Sequence, residues 1–386
     1  MLSWNLKTRG LRPIGLDIGH NAIKMIQLLI NESQIGVLAA DKICIDPSIN
    51  GDGQRRQQFV VSSIKRVLEA GKFQGRGVVS CLPNEKVRTT SLRLPEAEAA
   101  QIEQALAKEA ADRFGLDPNK DAIDYMIAGS VRQGDEIKNE LILFAIDDET
   151  IKDHIAMLEE AQLKPVAIDT IPCALFRSFE RSLRRHEDRE RTVVFVDIGG
   201  CFTTVVFGRG GDICFVKQMA IGGVNFDREI AAKLGVDIPE AGMLRSRLRA
   251  ERGLPLPETE WVEHAPKRET QALDAMTRQV IVDAIGAVAE ELAREISLCF
   301  RYYTVTFRGK RVERAFLTGG EAYENILLNV LARKLAVEIE VAQPLKGFNL
   351  SGEDMHIYLD GDRRGLLCEW AVAVGLSLKG WNGAAG

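Results

Sequence analysis

Apolar side chains alternate with small or polar ones along residues 13–29 (PIGLDIGHNAIKMIQLL), and the alternation breaks once, at a glycine-bearing turn. Ile14, Leu16 and Ile18 therefore predict a buried strand, and residues 23–29 the strand that returns beside it. Residues 35–45 complete a meander. The period then changes. Phe59, Val60, Ile64, Val67 and Leu68 recur at helical spacing within residues 57–70, and Gly71 stops that helix. Residues 77–82 predict a further strand, closed by Pro83.

From Pro83 to about Lys164 the texture differs. A strand at 86–94 leads through Pro95 into a helix at 96–114, with Glu96 and Glu98 expected in its first turn, where carboxylates favour the positive helix end. Strands at 122–129 and 140–146 follow, then a helix at 148–162. This β-α-β-β-α order predicts a compact inserted α/β subdomain. Beyond it, the charged run 181–191 (RSLRRHEDRER) is expected as a solvated helix end or linker. Strands are expected at 192–200, 203–207 and 213–220, then a helix over 227–250. A Pro-rich loop spans 251–270, a long amphipathic helix 272–303, a strand and turn 314–321, and a helix 322–335. Residues 380–386 should fray, as should 1–13, where Leu2, Trp4 and Leu6 lie beside Lys7, Arg9 and Arg12.

One repeat organises these elements. An offset of 180 positions lays Leu16-Asp17-Ile18-Gly19 on Val196-Asp197-Ile198-Gly199, and each copy opens a three-strand meander. A glycine turn after a strand exposes N–H groups that can cradle phosphate oxygens. An aspartate at each strand end can hold Mg²⁺, which keeps several waters and takes few carboxylates. Two such hairpins facing each other would clamp the phosphates of a nucleotide. The plainer alternative is a pair of structural hairpins. A third glycine site, Leu317-Thr318-Gly319-Gly320-Glu321-Ala322, follows a strand and is expected to open a helix, leaving room for close approach to a flat ligand.

Composition narrows the field. A chain of 386 residues suggests two or three domains at roughly 150 residues each, and can bury a core without metal or disulfide. Fifty Lys and Arg against 55 Asp and Glu give a net charge of −5, a poor footprint for nucleic-acid binding. The seven cysteines include no CxxC pair, so neither a disulfide framework nor a zinc site is expected. No apolar run reaches membrane-spanning length, and the start lacks the apolar core of a signal peptide. A cytoplasmic chain is the expectation.

In their order, strand–D-I-G, strand–D-I-G-G, I-G-G and strand–L-T-G-G resemble the motifs of the actin-like ATPase superfamily, over essentially the whole chain. The segment 109–125 (EAADRFGLDPNKDAIDY), Leu92-Arg93-Leu94-Pro95, Gly222-Gly223 and the closing 371–378 (AVAVGLSL) resemble the PilM family of type IV pilus assembly proteins, over about residues 13–379. The resemblance implies an α/β, actin-like two-lobed fold of duplicated ribonuclease-H-like cores with an FtsA/PilM-type inserted α/β subdomain. Residues 1–82 and 165–191 would form the first lobe and 83–164 the insert. Residues 192–226 and 309–386 would form the second lobe, with 227–308 its subdomain.

It further implies a cytoplasmic ATP-binding scaffold of the inner-membrane pilus platform. Such a scaffold recruits the short cytoplasmic N-terminal peptide of a PilN-like membrane protein, in a groove between the first lobe and the insert. Other platform proteins, peripheral membrane association through the partner and homo-oligomers belong to the same picture. By resemblance, Asp17 and Asp197 are the catalytic and Mg²⁺-binding carboxylates. Gly19, His20, Asn21 and Lys24 match the first phosphate motif, and Gly199, Gly200 and Thr203 the second. Gly222 and Gly223 follow, and Gly319, Gly320 and Glu321 match the adenosine motif.

Two departures stand out. A Glu-x-x-Lys pair that reaches the nucleoside in the family falls on Gly242 and Arg245, and glycine offers no acceptor for ribose hydroxyls. The residue that positions the attacking water aligns with Ile171, which can neither accept nor relay a proton. At most a weak ATPase is expected. The alternatives are an FtsA-like division protein, for which the ending LSLKGWNGAAG is too short and glycine-rich, and a type II secretion platform protein, which would carry a membrane span. A small-molecule kinase of the same superfold and a nucleotide-free structural adaptor complete the set.

Overall fold

The computed structural model describes residues 10–31, 34–133, 135–183, 191–251, 272–307, 311–350 and 367–380. The chain opens with β1 (Leu11–Ile18), β2 (Ala22–Asn31) and β3 (Gln34–Cys44), then α1 (Gly53–Glu69) and β4 (Gly77–Cys81). Next come β5 (Arg88–Pro95), α2 (Ala99–Phe114), β6 (Ala122–Gln133), β7 (Glu136–Ile146), α3 (Asp148–Glu160), β8 (Lys164–Asp169) and α4 (Ile171–Glu180). The second half runs β9 (Thr192–Ile198), β10 (Thr203–Arg209), β11 (Asp212–Met219), α5 (Gly223–Leu234), α6 (Ile238–Glu251) and α7 (Ala275–Thr306). It ends with β12 (Val312–Thr318), α8 (Asn325–Leu335), β13 (Glu338–Val341) and α9 (Ala371–Ser377).

Two sheets repeat one topology. The first has strand order β3-β2-β1-β4-β8 and the second β11-β10-β9-β12-β13, each an antiparallel meander extended by two parallel strands. The 180-residue offset seen in the sequence is therefore a duplication of structure. It also aligns partners: Asp17 faces Lys24 across the β1–β2 hairpin, and Asp197 faces Thr204 across β9–β10.

The alternation in β1 explains the layering. Ile14 and Leu16 pack with Ile64, Val67 and Leu68 of α1 and Leu158 of α3 on one face. Gly15 points to the other, where a Cβ would meet the Ala373 carbonyl of α9 at 2.1 Å. On that face Val79 and Cys81 pack with Ala174 of α4 and Val372 and Leu376 of α9. In the second sheet, Val194, Val196 and Phe207 pack under α5, α7 and α8. Phe195 faces the first lobe, stacking on Phe179 of α4 with ring centroids 4.8 Å apart.

The insert is a three-stranded sheet of order β5-β7-β6 covered by α2, whose Ile102 and Leu106 pack on Leu141 and Leu143. It is tied to the second lobe by buried Glu140. Arg93 and the Tyr302 hydroxyl both donate to that carboxylate, at 2.7 Å each, and Arg93 also donates to Thr306 of α7.

Several expectations change. Glu96 and Glu98 lie before α2, because Pro95 still pairs with Lys138 and the chain needs residues to turn the corner. The helix α3 belongs to the first lobe's core, so the insert lacks its second helix. The helix expected over 227–250 is two, since Gly235 takes the left-handed conformation (φ 70°) and caps α5. Residues 371–378, assigned to the second lobe, return to the first through α9. The strands β8 and β13 were not expected. The readings for residues 1–9, the charged run 184–190, the Pro-rich 252–271 and the tail 381–386 fall outside the described residues.

The α9 packing makes a paired prediction. A Cβ at Gly375 would sit 1.8 Å from the Ala174 carbonyl, whereas one at Gly286 in α7 meets nothing within 4 Å. Gly375→Ala should lose about 2–3 kcal/mol through overpacking despite better helix propensity. Gly286→Ala should gain roughly 0.5–1 kcal/mol. Urea midpoints of the two variants, read against the parent, check the opposite signs.

Candidate functional site

A cleft of about 1520 Å³ opens between the two lobes, where β1 and β9 both end. Asp17 and Asp197 line it. Each is the penultimate residue of its strand, so the duplicated topology delivers one carboxylate from either side.

Their surroundings are unequal. Lys24 donates to Asp17 at 2.5 Å, with both side chains almost wholly withdrawn from water. Burial works to lower the lysine's pKa, but the charge and hydrogen bond of Asp17, with Asp197 and Glu369 beyond, outweigh it and the net shift is upward. Among the described residues, Asp197 has no such cation in contact. The Thr318 hydroxyl donates to it at 2.8 Å, and burial together with the negative charge of Asp17 pushes its pKa up to about 6.

The two turns touch. A Cβ on Gly200 would come within 3.0 Å of His20 and 3.1 Å of Asn21. Gly19, His20, Asn21, Lys24, Gly199 and Gly200 all line the cleft. The first turn is braced from α1, where Arg56 donates to the Gly19 carbonyl at 2.7 Å and to Asn50 at 3.2 Å, and Asn50 contacts His20. Burial, then Arg56, lowers the His20 pKa, so the ring is neutral near pH 7.

Thr203, Gly222 and Gly223 lie behind the second turn and not among the residues that line the cleft. Thr203 is fully buried and its hydroxyl donates to the Ile221 carbonyl at 2.7 Å. Gly222 and Gly223 are packed beneath the second turn. A Cβ on Gly222 would strike the Gly199 carbonyl at 2.6 Å, and the Gly223 N–H already donates to that oxygen. All three shape the turn from behind.

The glycines of the third motif lead into a turn, and α8 begins only at Asn325, after Glu324 caps it. Gly319 (φ 89°) presses against the Ile198 backbone, locking this turn to the end of β9. Gly320 faces open space in the cleft. Glu321 is buried in a charged layer. Arg245 donates to Glu321 and to Asp227, each at 2.7 Å, and Arg249 lies 3.6 Å from both Glu321 and Glu324. Arg245 is thus held by two carboxylates. From α5, the Asp227 carboxylate lies 3.7 Å from where a Gly242 Cβ would stand. Burial opposes the charge on Arg245, but Glu321 and Asp227 outweigh it and raise its pKa.

Sequence reasoning missed Arg56, Asn84, Glu85, Arg249 and Thr318. Only the last two carried a signal: Arg249 is one turn from Arg245 on the same helix, and Thr318 belongs to a quoted motif. Ile171 does line the cleft, as the alignment implied.

The donor set suits a magnesium-bound polyphosphate. Among the described residues, no three His, Cys, Asp or Glu side chains are grouped to hold a metal. Two carboxylates that leave the remaining positions to water and phosphate oxygens are what Mg²⁺ prefers. Glycine turns, a buried lysine and the open face at Gly320 supply the remainder.

Duplicated five-stranded sheets, with a carboxylate-bearing hairpin from each meeting in a shared cleft, define an actin-like protein. The sequence model of the family described as type IV pilus assembly protein PilM matches residues 15–255 and 267–381. The chain belongs to that family. Its fold is similar to that in the structure titled PilM-PilN type IV pilus biogenesis complex, with TM-score 0.72 and 22% identity, over 96% of this chain and 98% of that one. The ethanolamine utilization protein EutJ from Carboxydothermus hydrogenoformans is similar at TM-score 0.50 and 14% identity, over 95% and 89%. Among the described residues, no helix is long and apolar enough to cross a membrane.

The charged layer yields a stability test. Removing one partner of a buried ion pair strands the other charge, at about 3–5 kcal/mol. Glu321→Ala should lose about that much in urea unfolding. A loss below about 1 kcal/mol would mean that Asp227 and Glu324 suffice for both arginines.

Proposed function

We propose that this chain is an ATP-binding, actin-like scaffold of the type IV pilus inner-membrane platform, and that it hydrolyses ATP slowly at most. The observation that carries the nucleotide reading is the convergence of Asp17 and Asp197 on one cleft, flanked by glycine turns in contact with each other. In this reading Asp17 and Asp197 hold Mg²⁺ through water, and Lys24 and the turns at 19–21 and 199–200 receive the phosphates. Gly319 and Gly320 leave room for the nucleoside. Bound Mg²⁺ would screen phosphate charge, while the chain's own groups orient the nucleotide and close the lobes on it. Ile171 in the cleft wall accounts for slow turnover.

The partner in this reading is the cytoplasmic N-terminal segment of a PilN-like membrane protein. Family membership supports it, as does full-length likeness to the fold in a structure titled as a PilM-PilN complex. The scaffold would thereby lie at the inner face of the cytoplasmic membrane. A nucleotide-free adaptor is the second reading, favoured by the engagement of Arg245 with Asp227 and Glu321.

Calorimetric titration with Mg-ATP separates the two. Asp17→Ala and Asp197→Ala should each weaken binding by roughly tenfold or more, the scale of one lost charge-assisted contact. Because cation binding needs ionised Asp197, the parent's affinity should be level above about pH 7. It should fall by up to about tenfold per unit below pH 6, as the carboxylate protonates. Asp197→Asn should abolish that slope. Equal affinity in parent and both alanine variants would favour the adaptor.

A further inference from the structure

Among the described residues, six carboxylates line the cleft: Asp17, Asp41, Glu85, Asp197, Glu321 and Glu369. Asp17 is paired with Lys24, Asp197 accepts from Thr318, and Glu321 is held by Arg245. Glu369 is paired with Lys42 and accepts from the Tyr323 hydroxyl at 2.6 Å. Asp41 is engaged as well. Glu85 alone is exposed to the cleft with no hydrogen-bond or ion-pair partner among the described residues.

Its backbone is nevertheless fixed. Glu85 sits on the turn after β4, closed by the Lys86 N–H donating to the Pro83 carbonyl at 3.0 Å. Its neighbour Asn84 bridges to the second lobe, donating to the Thr204 hydroxyl at 3.1 Å and accepting from Gln218 at 2.7 Å. Thr204 is the cross-strand partner of Asp197. A first-lobe loop is thus pinned one strand from the second carboxylate, with Glu85 at its tip. The charge reaches both turns. Burial and then Arg56 lower the His20 pKa while Glu85 opposes them, and burial and then Glu85 raise that of the Cys201 thiol.

We propose that Glu85 is the proton acceptor for the water that attacks the terminal phosphate of bound ATP. This rests on the ATP-binding reading above. The water oxygen bonds to the γ-phosphorus as the bond to the β–γ bridging oxygen breaks, and ADP departs with that electron pair. The water's proton passes to the Glu85 carboxylate and from there to solvent. Glu85 supplies the function that Ile171 lacks. An exposed carboxylate that no neighbour orients is a loosely aimed base, which accords with slow turnover.

Glu85→Gln tests this in the full chain, with three readouts. Affinity for Mg-ADP should stay within about twofold of the parent. Affinity for Mg-ATP should rise roughly threefold, because a negative charge facing the terminal phosphate is gone. Single-turnover hydrolysis should fall by roughly tenfold or more. Unchanged hydrolysis and an unchanged ATP-to-ADP affinity ratio would overturn the assignment while leaving ATP binding intact. Parent hydrolysis no faster than that of free ATP would overturn it too. A parent that binds neither nucleotide removes the underlying reading as well.

Discussion

The Lys24–Asp17 ion pair fixes the electrostatics of the cleft. The duplicated fold drives two aspartates to one place from opposite sides, and two carboxylates withdrawn from water cannot both stay ionised without compensation. The first lobe supplies a full positive charge, at the position directly across the hairpin. The second lobe has Thr204 at the equivalent position, and the Thr318 hydroxyl of the neighbouring parallel strand donates to its carboxylate. Burial, with the negative charge of Asp17 nearby, lifts the pKa of Asp197 further than the Thr318 hydrogen bond and Lys24 bring it down. A cation arriving in the cleft meets one carboxylate already neutralised and a second short of positive charge, so its attraction is strongest on the second lobe's side.

The lobes also meet along the cleft. His20 and Asn21 lie against Gly200, and Asn84 reaches Thr204 and Gln218. Below, α4 and the aromatic stack of Phe179, Phe195 and Phe316 fill the space between the two sheets. The insert touches the second lobe through a separate buried contact, Glu140 with Arg93 and Tyr302.

Much of this was legible in the chain. The change from period two to helical period located the β1–β2–β3 meander and α1, and the repeat of D-I-G at offset 180 revealed the duplication. What escaped had physical reasons. The strand β8 carries Pro165 and turns Val166 outward, which hides its apolar signal, and the four-residue β13 is too short to show a period. The return of α9 to the first lobe is a long-range contact that no local pattern encodes. Thr203 matches the second phosphate motif by resemblance, yet the pleat points its hydroxyl inward to the Ile221 carbonyl, and its neighbour Thr204 meets Asn84. Arg245 aligns with a nucleoside-reaching position, yet Asp227 and Glu321, brought beside it from elsewhere in the chain, engage it instead. Glu85 carried no motif; only the placement of the loop after β4 brings it to the cleft.

Nucleotide binding as proposed requires that the two hairpins and the third glycine turn act together on a single nucleotide. Amide hydrogen exchange with and without saturating Mg-ATP addresses it most directly. The account predicts coincident protection at residues 17–24, 197–204 and 319–321, on both sides of the cleft and in proportion to nucleotide occupancy. Protection confined to one lobe, or none at any of the three segments while nucleotide is bound, would contradict it.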